Sequence, residues 1–228
     1  MSYTVLILTH LDKEKNKILL PHFKWICKTN PEADVKIIVR EDSPMGNRYN
    51  WKNGDQPLRK WWKKNGHTVK TKNVAVVEWD TLIGCELPNL PDNFDLVGAM
   101  VMKENYSMRG KWVPKLMRDP TWTEDHWFWW EDIPKLKLKT GERAIGLVSF
   151  GALFMRRWVL DLVCKERWDT VYEDSIQNEL RFPTIASVEG ARVGSIDLPF
   201  VSWTDVEVGD VPGIYHSVDN PVSFDKFK

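Results

Sequence analysis

Two carboxylates flank a tryptophan at Glu78-Trp79-Asp80, directly after the apolar run 74–77 (VAVV). Side chains alternate along a strand, so positions 78 and 80 point to one side and Trp79 to the other. Two acids on one side, at the carboxyl end of a buried strand, can hold a hard divalent cation. Mg2+ and Mn2+ are typically bound by one or two carboxylates together with phosphate oxygens, and ligands of open α/β sheets bind at that end of the strands. The plainer reading is a pair of acids in a surface turn. A second candidate is His216, at the end of Gly213-Ile214-Tyr215-His216, because imidazole is a good Mn2+ ligand and the chain holds only five histidines. Standing alone, it reads as a surface or hydrogen-bonded histidine. The third candidate is Tyr172-Glu173-Asp174, an acid pair ahead of a helical segment at 175–180. It reads either as helix capping or as a general base or anchor for an acceptor hydroxyl.

The elements that must position these groups alternate. Residues 5–9 (VLILT), 35–39 (VKIIV), 74–77 and 94–102 (FDLVGAMVM) are apolar runs of strand length. Helical spacing covers 12–28 but contains Pro21, which is tolerated in the first turn of a helix, so the helix is expected to start near Pro21 and to stop at Asn30-Pro31. Residues 43–54 are turn-rich and read as a loop. Asp55 reads as the N-cap of the next helix and Gly66 as its stop. That helix and its sequel carry Arg59, Lys60, Lys63, Lys64, Lys70 and Lys72, either a solvated face or a source of one phosphate contact. Alternating strands and helices predict an α/β sheet with parallel strands. Residues 103–143 lack clear periodicity and hold Trp112, Trp122, Trp127, Trp129 and Trp130, as a functional loop region or an irregular subdomain. An apolar segment returns at 148–156, a helix follows at 158–163, and the tail from 195 reads as short strands and turns. No linker divides the chain, so residues 1–228 are expected to form one domain.

Composition narrows the function classes. Lys plus Arg and Asp plus Glu each number 32, and a neutral chain is not what binds duplex DNA through its phosphates, so no nucleic-acid partner is expected. No apolar run reaches the roughly 18 residues that span a bilayer, and the opening MSYTVLILTH lacks the basic segment and cleavage site of a signal peptide. Cys27, Cys85 and Cys164 are odd in number and scattered, which fits a reducing, cytoplasmic compartment rather than a disulfide framework. Thirteen tryptophans suit core packing, and the clustered ones also suit stacking on sugar rings.

The succession of strand, helix, strand, an acid-x-acid after the third strand, the small-residue segment Gly151-Ala152-Leu153-Phe154, an acid pair and a late Gly-x-x-His resembles the nucleotide-sugar glycosyltransferases of the GT-A fold. The resemblance implies a single GT-A (Rossmann-like) domain whose central mixed, mostly parallel sheet is flanked by helices. Residues 1–102 would form the nucleotide-sugar-binding half and 103–228 the acceptor-binding half. It implies Mn2+ or Mg2+ on the diphosphate of a UDP- or GDP-sugar, with Asp80 as main ligand, Glu78 on the ribose or on the metal through water, and His216 as late ligand. Thr9 and His10 would lie beside the base and ribose. Glu173 or Asp174 would face a glycan or glycoprotein acceptor, as base in an inverting enzyme or as anchor in a retaining one. Glu78 stands where the family more often has aspartate. More loosely, the chain is similar to the soluble glycosyltransferase domains of large algal DNA viruses, whose targets include capsid glycans; that likeness implies the host cytoplasm. The rival classes are a non-catalytic carbohydrate-binding module and a metal-dependent nuclease or phosphatase.

Overall fold

Three parallel strands bring their carboxyl ends to one edge of the protein. In the computed structural model, which describes residues 2–10, 12–40, 53–98, 137–145, 148, 150–173, 178–195, 200–201, 208–216, 218, 220–223 and 226, these are Tyr3–His10 (β1), Asp34–Arg40 (β2) and Asn73–Glu78 (β3). β1 lies between the other two and is buried at every position. A strand covered on both faces reads as a continuous apolar run, as 5–8 does. Beyond β3 the sheet continues through Ala152–Arg156 (β6) and Leu96–Gly98 (β5) to Val193–Ser195 (β7), in the order β2-β1-β3-β6-β5-β7. The pairings of β6 are antiparallel and the others parallel, so the sheet is mixed and mostly parallel. Leu82–Ile83 (β4), Phe200–Val201 (β8) and Ile214–Tyr215 (β9) form a second, small sheet in the order β4-β9-β8.

Helices cover both faces, and the alternation of side chains assigns them. Val5, Ile7, Ala75 and Val77 pack with Leu19 and Ile26 of Lys13–Thr29 (α1). Leu6, Leu8, Val74 and Val76 pack on the other face with Leu58 and Trp62 of Asp55–Asn65 (α2), Val159 and Leu160 of Arg157–Val163 (α3), and Leu180, Phe182 and Ile185 of Asn178–Val188 (α4). The architecture is therefore α/β, a mixed sheet flanked by helices.

Several local expectations need correction. α1 begins at Lys13, not near Pro21: Asp12 is its N-cap and accepts from the Glu14 amide at 2.8 Å, and Pro21 lies inside the helix. An interior proline costs about 3 kcal/mol. Burial of Leu19, His22, Trp25 and Ile26 along one stripe offsets it, which sequence propensity alone does not anticipate. Asp55 is the first residue of α2, not its cap; Gly54 takes the cap position without a side-chain bond. The Asp55 carboxylate is turned inward to Arg181 of α4, both wholly buried, with Arg181 Nε donating at 2.9 Å. The short helix expected at 175–180 is the start of a longer one running to Val188, with 175–177 outside the described residues. Residues 43–52, 99–102 and 103–136, including Trp112, Trp122, Trp127, Trp129 and Trp130, also lie outside them.

The buried Asp55–Arg181 pair ties the start of α2 to α4, and removing one partner strands the other charge. Asp55→Ala is expected to lower unfolding stability by about 3–5 kcal/mol, measured by urea titration. A loss below about 1 kcal/mol, the scale of an exposed pair, would show that the two charges are not held together.

Candidate metal centre

β3 is buried as far as Val77 and ends at Glu78, where the chain turns: the Thr81 amide donates to the Glu78 carbonyl at 3.1 Å. Gly151, just ahead of β6, braces this turn. Its carbonyl accepts from the Glu78 amide at 3.4 Å and from the Thr81 hydroxyl at 2.8 Å. β4 follows at once and pairs antiparallel with β9, Leu82 opposite Tyr215. That register returns the residue after Tyr215, His216, to the acids just before Leu82. His216 Nε2 lies 2.8 Å from Glu78 Oε2 and 3.6 Å from Asp80 Oδ1. Among the described residues, Glu78, Asp80 and His216 are the group whose ligand atoms could share a metal ion, all within 4.8 Å of one another.

The side chains are mostly shielded, with 23% of Glu78, 15% of Asp80 and 12% of His216 exposed. Burial pushes the Glu78 carboxyl up, but the hydrogen bond and charge of His216, with the charges of Arg40 and His10, hold it below its ordinary value. Burial pushes His216 down, yet Asp80, Glu78 and Glu179 outweigh it and raise the imidazole to about 9. Without a cation, His216 therefore serves as the positive charge between the carboxylates. A metal ion takes that place by displacing its proton. His216 also fits tightly against the turn: a Cβ on Gly151 would stand 2.4 Å from its Cγ and 2.6 Å from its Nδ1. Glycine at 151 is what the approach requires.

The neighbouring strand ends contribute to the same edge. His10 closes β1 opposite Arg40 of β2, and Arg40 Nε donates to His10 Nδ1 at 3.2 Å. A guanidinium only donates, so that bond leaves the imidazole hydrogen on Nε2. Thr9 is buried, its hydroxyl 3.5 Å from the His10 carbonyl. Glu173 closes the 3-10 segment Glu166–Glu173, but its side chain, and Asp174 altogether, lie outside the described residues. The basic stretch points elsewhere. Arg59 and Lys63 each place a nitrogen 2.7 Å from Asp169, and Arg59 also donates to the Val163 and Lys165 carbonyls. α3 starts where β6 meets the amino end of β3, Arg156 opposite Asn73, so this clamp sits at the far edge of the sheet from Glu78.

Two groups near the centre have no signal in the sequence reading. Arg40 is the last residue of β2, and its position becomes significant only once β2 is paired with β1. Glu179 lies in the first turn of α4, buried, with its carboxylate accepting from the Phe150 amide at 3.3 Å. Burial and the Glu78 charge raise its carboxyl to about 7, against the pull of the Phe150 amide and His216.

No protein-family model matches the chain, and no curated protein sequence matches it. Solved structures do resemble it. The galactosyltransferase LgtC, crystallised with donor and acceptor sugar analogs, is 11% identical over 95% of this chain and 86% of its own, with a TM-score of 0.44. A glycosyltransferase involved in glycosylation of the major capsid of PBCV-1 is 8% identical over 88% and 84%, with a TM-score of 0.43. Mouse xyloside xylosyltransferase 1 is 8% identical over 95% and 97%, with a TM-score of 0.44. At these identities and scores the likenesses carry no weight for chemistry, which rests on the side chains described above. Among the described residues, no helix is long and apolar enough to cross a membrane.

Two outcomes follow from this geometry. Glu179→Gln removes a carboxyl whose folded value is raised from 4.5 to about 7. Such a group contributes stability that is complete below its unfolded value and lost as pH rises through its folded one. The wild-type protein should therefore lose stability relative to Glu179→Gln, on the order of 3 kcal/mol, between about pH 4.5 and 7; parallel stability curves would remove the assignment. Gly151→Ala forces the His216 ring away and should weaken Mn2+ binding about tenfold or more in a folded protein; calorimetry with an unchanged affinity would show that the ring can yield.

Proposed function

We propose that the protein is a metal-dependent glycosyltransferase that moves a sugar from a UDP- or GDP-sugar to a glycan or glycoprotein acceptor. The observation that carries the reading is the convergence of Glu78, Asp80 and His216 at the carboxyl ends of parallel strands, beside His10 and Arg40. Two carboxylates and one imidazole are hard-to-borderline donors, and they fit Mn2+ or Mg2+ rather than a thiophilic ion. In this reading Asp80, Glu78 and His216 hold the ion. Once bound, it supplies Lewis-acid neutralisation of the charge that grows on the leaving diphosphate.

The chain's own residues do the rest. The site half is residues 1–102, where Thr9 and His10 line the place of base and ribose; His10 offers its Nε2 hydrogen to an acceptor atom there, since Nδ1 already accepts from Arg40. The Arg40 guanidinium adds fixed positive charge to the edge that receives an anionic donor. Glu78 is held ionised by His216, so it enters the site as a carboxylate. Residues 103–228 form the acceptor half, where Glu173 or Asp174 takes the acceptor hydroxyl's proton in an inverting reaction or orients that hydroxyl in a retaining one.

Calorimetric titration with UDP and GDP, each with and without Mn2+, tests the reading. One nucleotide should bind in a Mn2+-dependent way. Asp80→Ala should weaken that binding about a hundredfold while the protein stays folded, within the range that loss of one stabilising charge produces in such sites. A folded Asp80→Ala protein with unchanged Mn2+-dependent binding overturns the site. Sugar binding by the wild-type protein without any nucleotide binding would point to a carbohydrate-binding module instead.

A further inference from the structure

We propose that His22 of α1 is a positioning residue for the Glu78–Asp80 pair, acting through the backbone carbonyl of Trp79. The proposal rests on the metal-site reading above and adds to it a residue far away in sequence.

His22 is 1% exposed. Its Nδ1 lies 3.3 Å from the Trp79 carbonyl oxygen. A carbonyl can only accept, so Nδ1 carries the hydrogen and Nε2 is left with a lone pair. That Nε2 is buried and has no hydrogen-bond partner among the described residues. Burying a polar atom without a partner is unfavourable, and each such case calls for a reason. Leucine or methionine would occupy this place in the core without stranding a nitrogen. What the histidine alone offers is the bond to Trp79. Burial holds the imidazole down to about 4, although the Trp79 bond pulls the other way, so the ring keeps a single N–H at neutral pH.

The bond falls at the critical point of the turn. The carbonyl of Glu78 accepts from Thr81 at 3.1 Å and the carbonyl of Asp80 accepts from Val218 at 3.0 Å. The Trp79 carbonyl between them is held by His22. The peptide is planar, so fixing that oxygen fixes the plane that contains the Asp80 nitrogen, and with it the direction in which the Asp80 side chain leaves the backbone. Rotation of this one plane would swing Asp80 away from Glu78 and His216. The Trp79 ring is held from the same helix: it packs in the α1-side core and Lys15 Nζ sits 5.3 Å over its centroid. α1 thus grips the residue between the two acids by its ring and by its backbone.

Mn2+ binding without nucleotide, followed by calorimetry alongside thermal unfolding, separates positioning from packing. His22→Leu, or His22→Met where the leucine protein does not fold, removes the donor and should raise the Mn2+ Kd about tenfold, the lower end of what loss of an outer-shell partner produces. His22→Asn places an amide N–H near the position of Nδ1 and should return the Kd to within about threefold of wild type, whatever its melting temperature. An unchanged Kd in the folded leucine or methionine protein overturns the proposal. So does an equal loss of affinity in the asparagine protein, which would assign the effect to packing. A wild-type protein that binds no Mn2+ overturns the metal reading itself and the proposal with it.

Discussion

Two carboxylates brought together at the rim of an apolar core repel each other, and desolvation makes the repulsion stronger than it would be in water. Glu78 and Asp80 are in that position because β3 is buried on both faces up to Val77 and then ends. The arrangement is tolerable only with a positive charge between them. His216 provides it, raised to about 9 by the acids it faces, and His10 and Arg40 reinforce it from the adjoining strands. Much else at this edge follows from that need. β9 exists as two residues paired to β4 so that His216 returns to the acids, and residue 151 is glycine because the imidazole ring lies where a Cβ would be.

How far the sequence reveals this depends on whether the signal is local. The acids could be read because VAVV is a run of strand length ending in them, and strand geometry then sets 78 and 80 against 79. The structure keeps that division: Trp79 packs into the α1-side core, while both carboxylates meet His216. His216 itself drew attention only through resemblance, since its partner strand is two residues long and no periodicity announces it. The start of α1 was missed because proline is a strong local signal, whereas the buried stripe of Leu19, His22 and Ile26 that overrides it becomes decisive only against a sheet. Asp55 was taken for a cap because capping is local; its true partner, Arg181, lies more than half the chain away. Arg40 and Glu179 acquire meaning only from strand pairing and burial, which a residue pattern does not carry.

The placement of positive charge also separates structure from chemistry. The densest basic stretch in the sequence looks like the natural anion site, yet Arg59 and Lys63 converge on Asp169 and hold α2 against the segment after α3. That clamp lies at the amino end of β3. At the carboxyl end the fixed cation is Arg40, a single residue flanked in sequence by acids at 41 and 42. A formally neutral chain can therefore present an anion-receptive edge without a basic patch, because what matters is the local field at the strand ends rather than the net charge.

Finally, the scaffold and the site draw on different parts of the chain. Every strand of the six-stranded sheet is complete by Ser195, so the sheet that buries most of the core needs nothing after it. The site does. His216 supplies a ligand atom and Val218 holds the Asp80 carbonyl, and both are anchored by the cluster in which Trp25 of α1 packs with Leu82, Tyr215 and Val218. Trp25 also donates to the Val222 carbonyl at 3.1 Å. α1 is thus the element common to both: one stripe of it covers the sheet, and the same helix fixes the returning tail through Trp25 and the acid turn through His22. A helix that looked interrupted at Pro21 in the sequence is the part that joins the core to the chemistry.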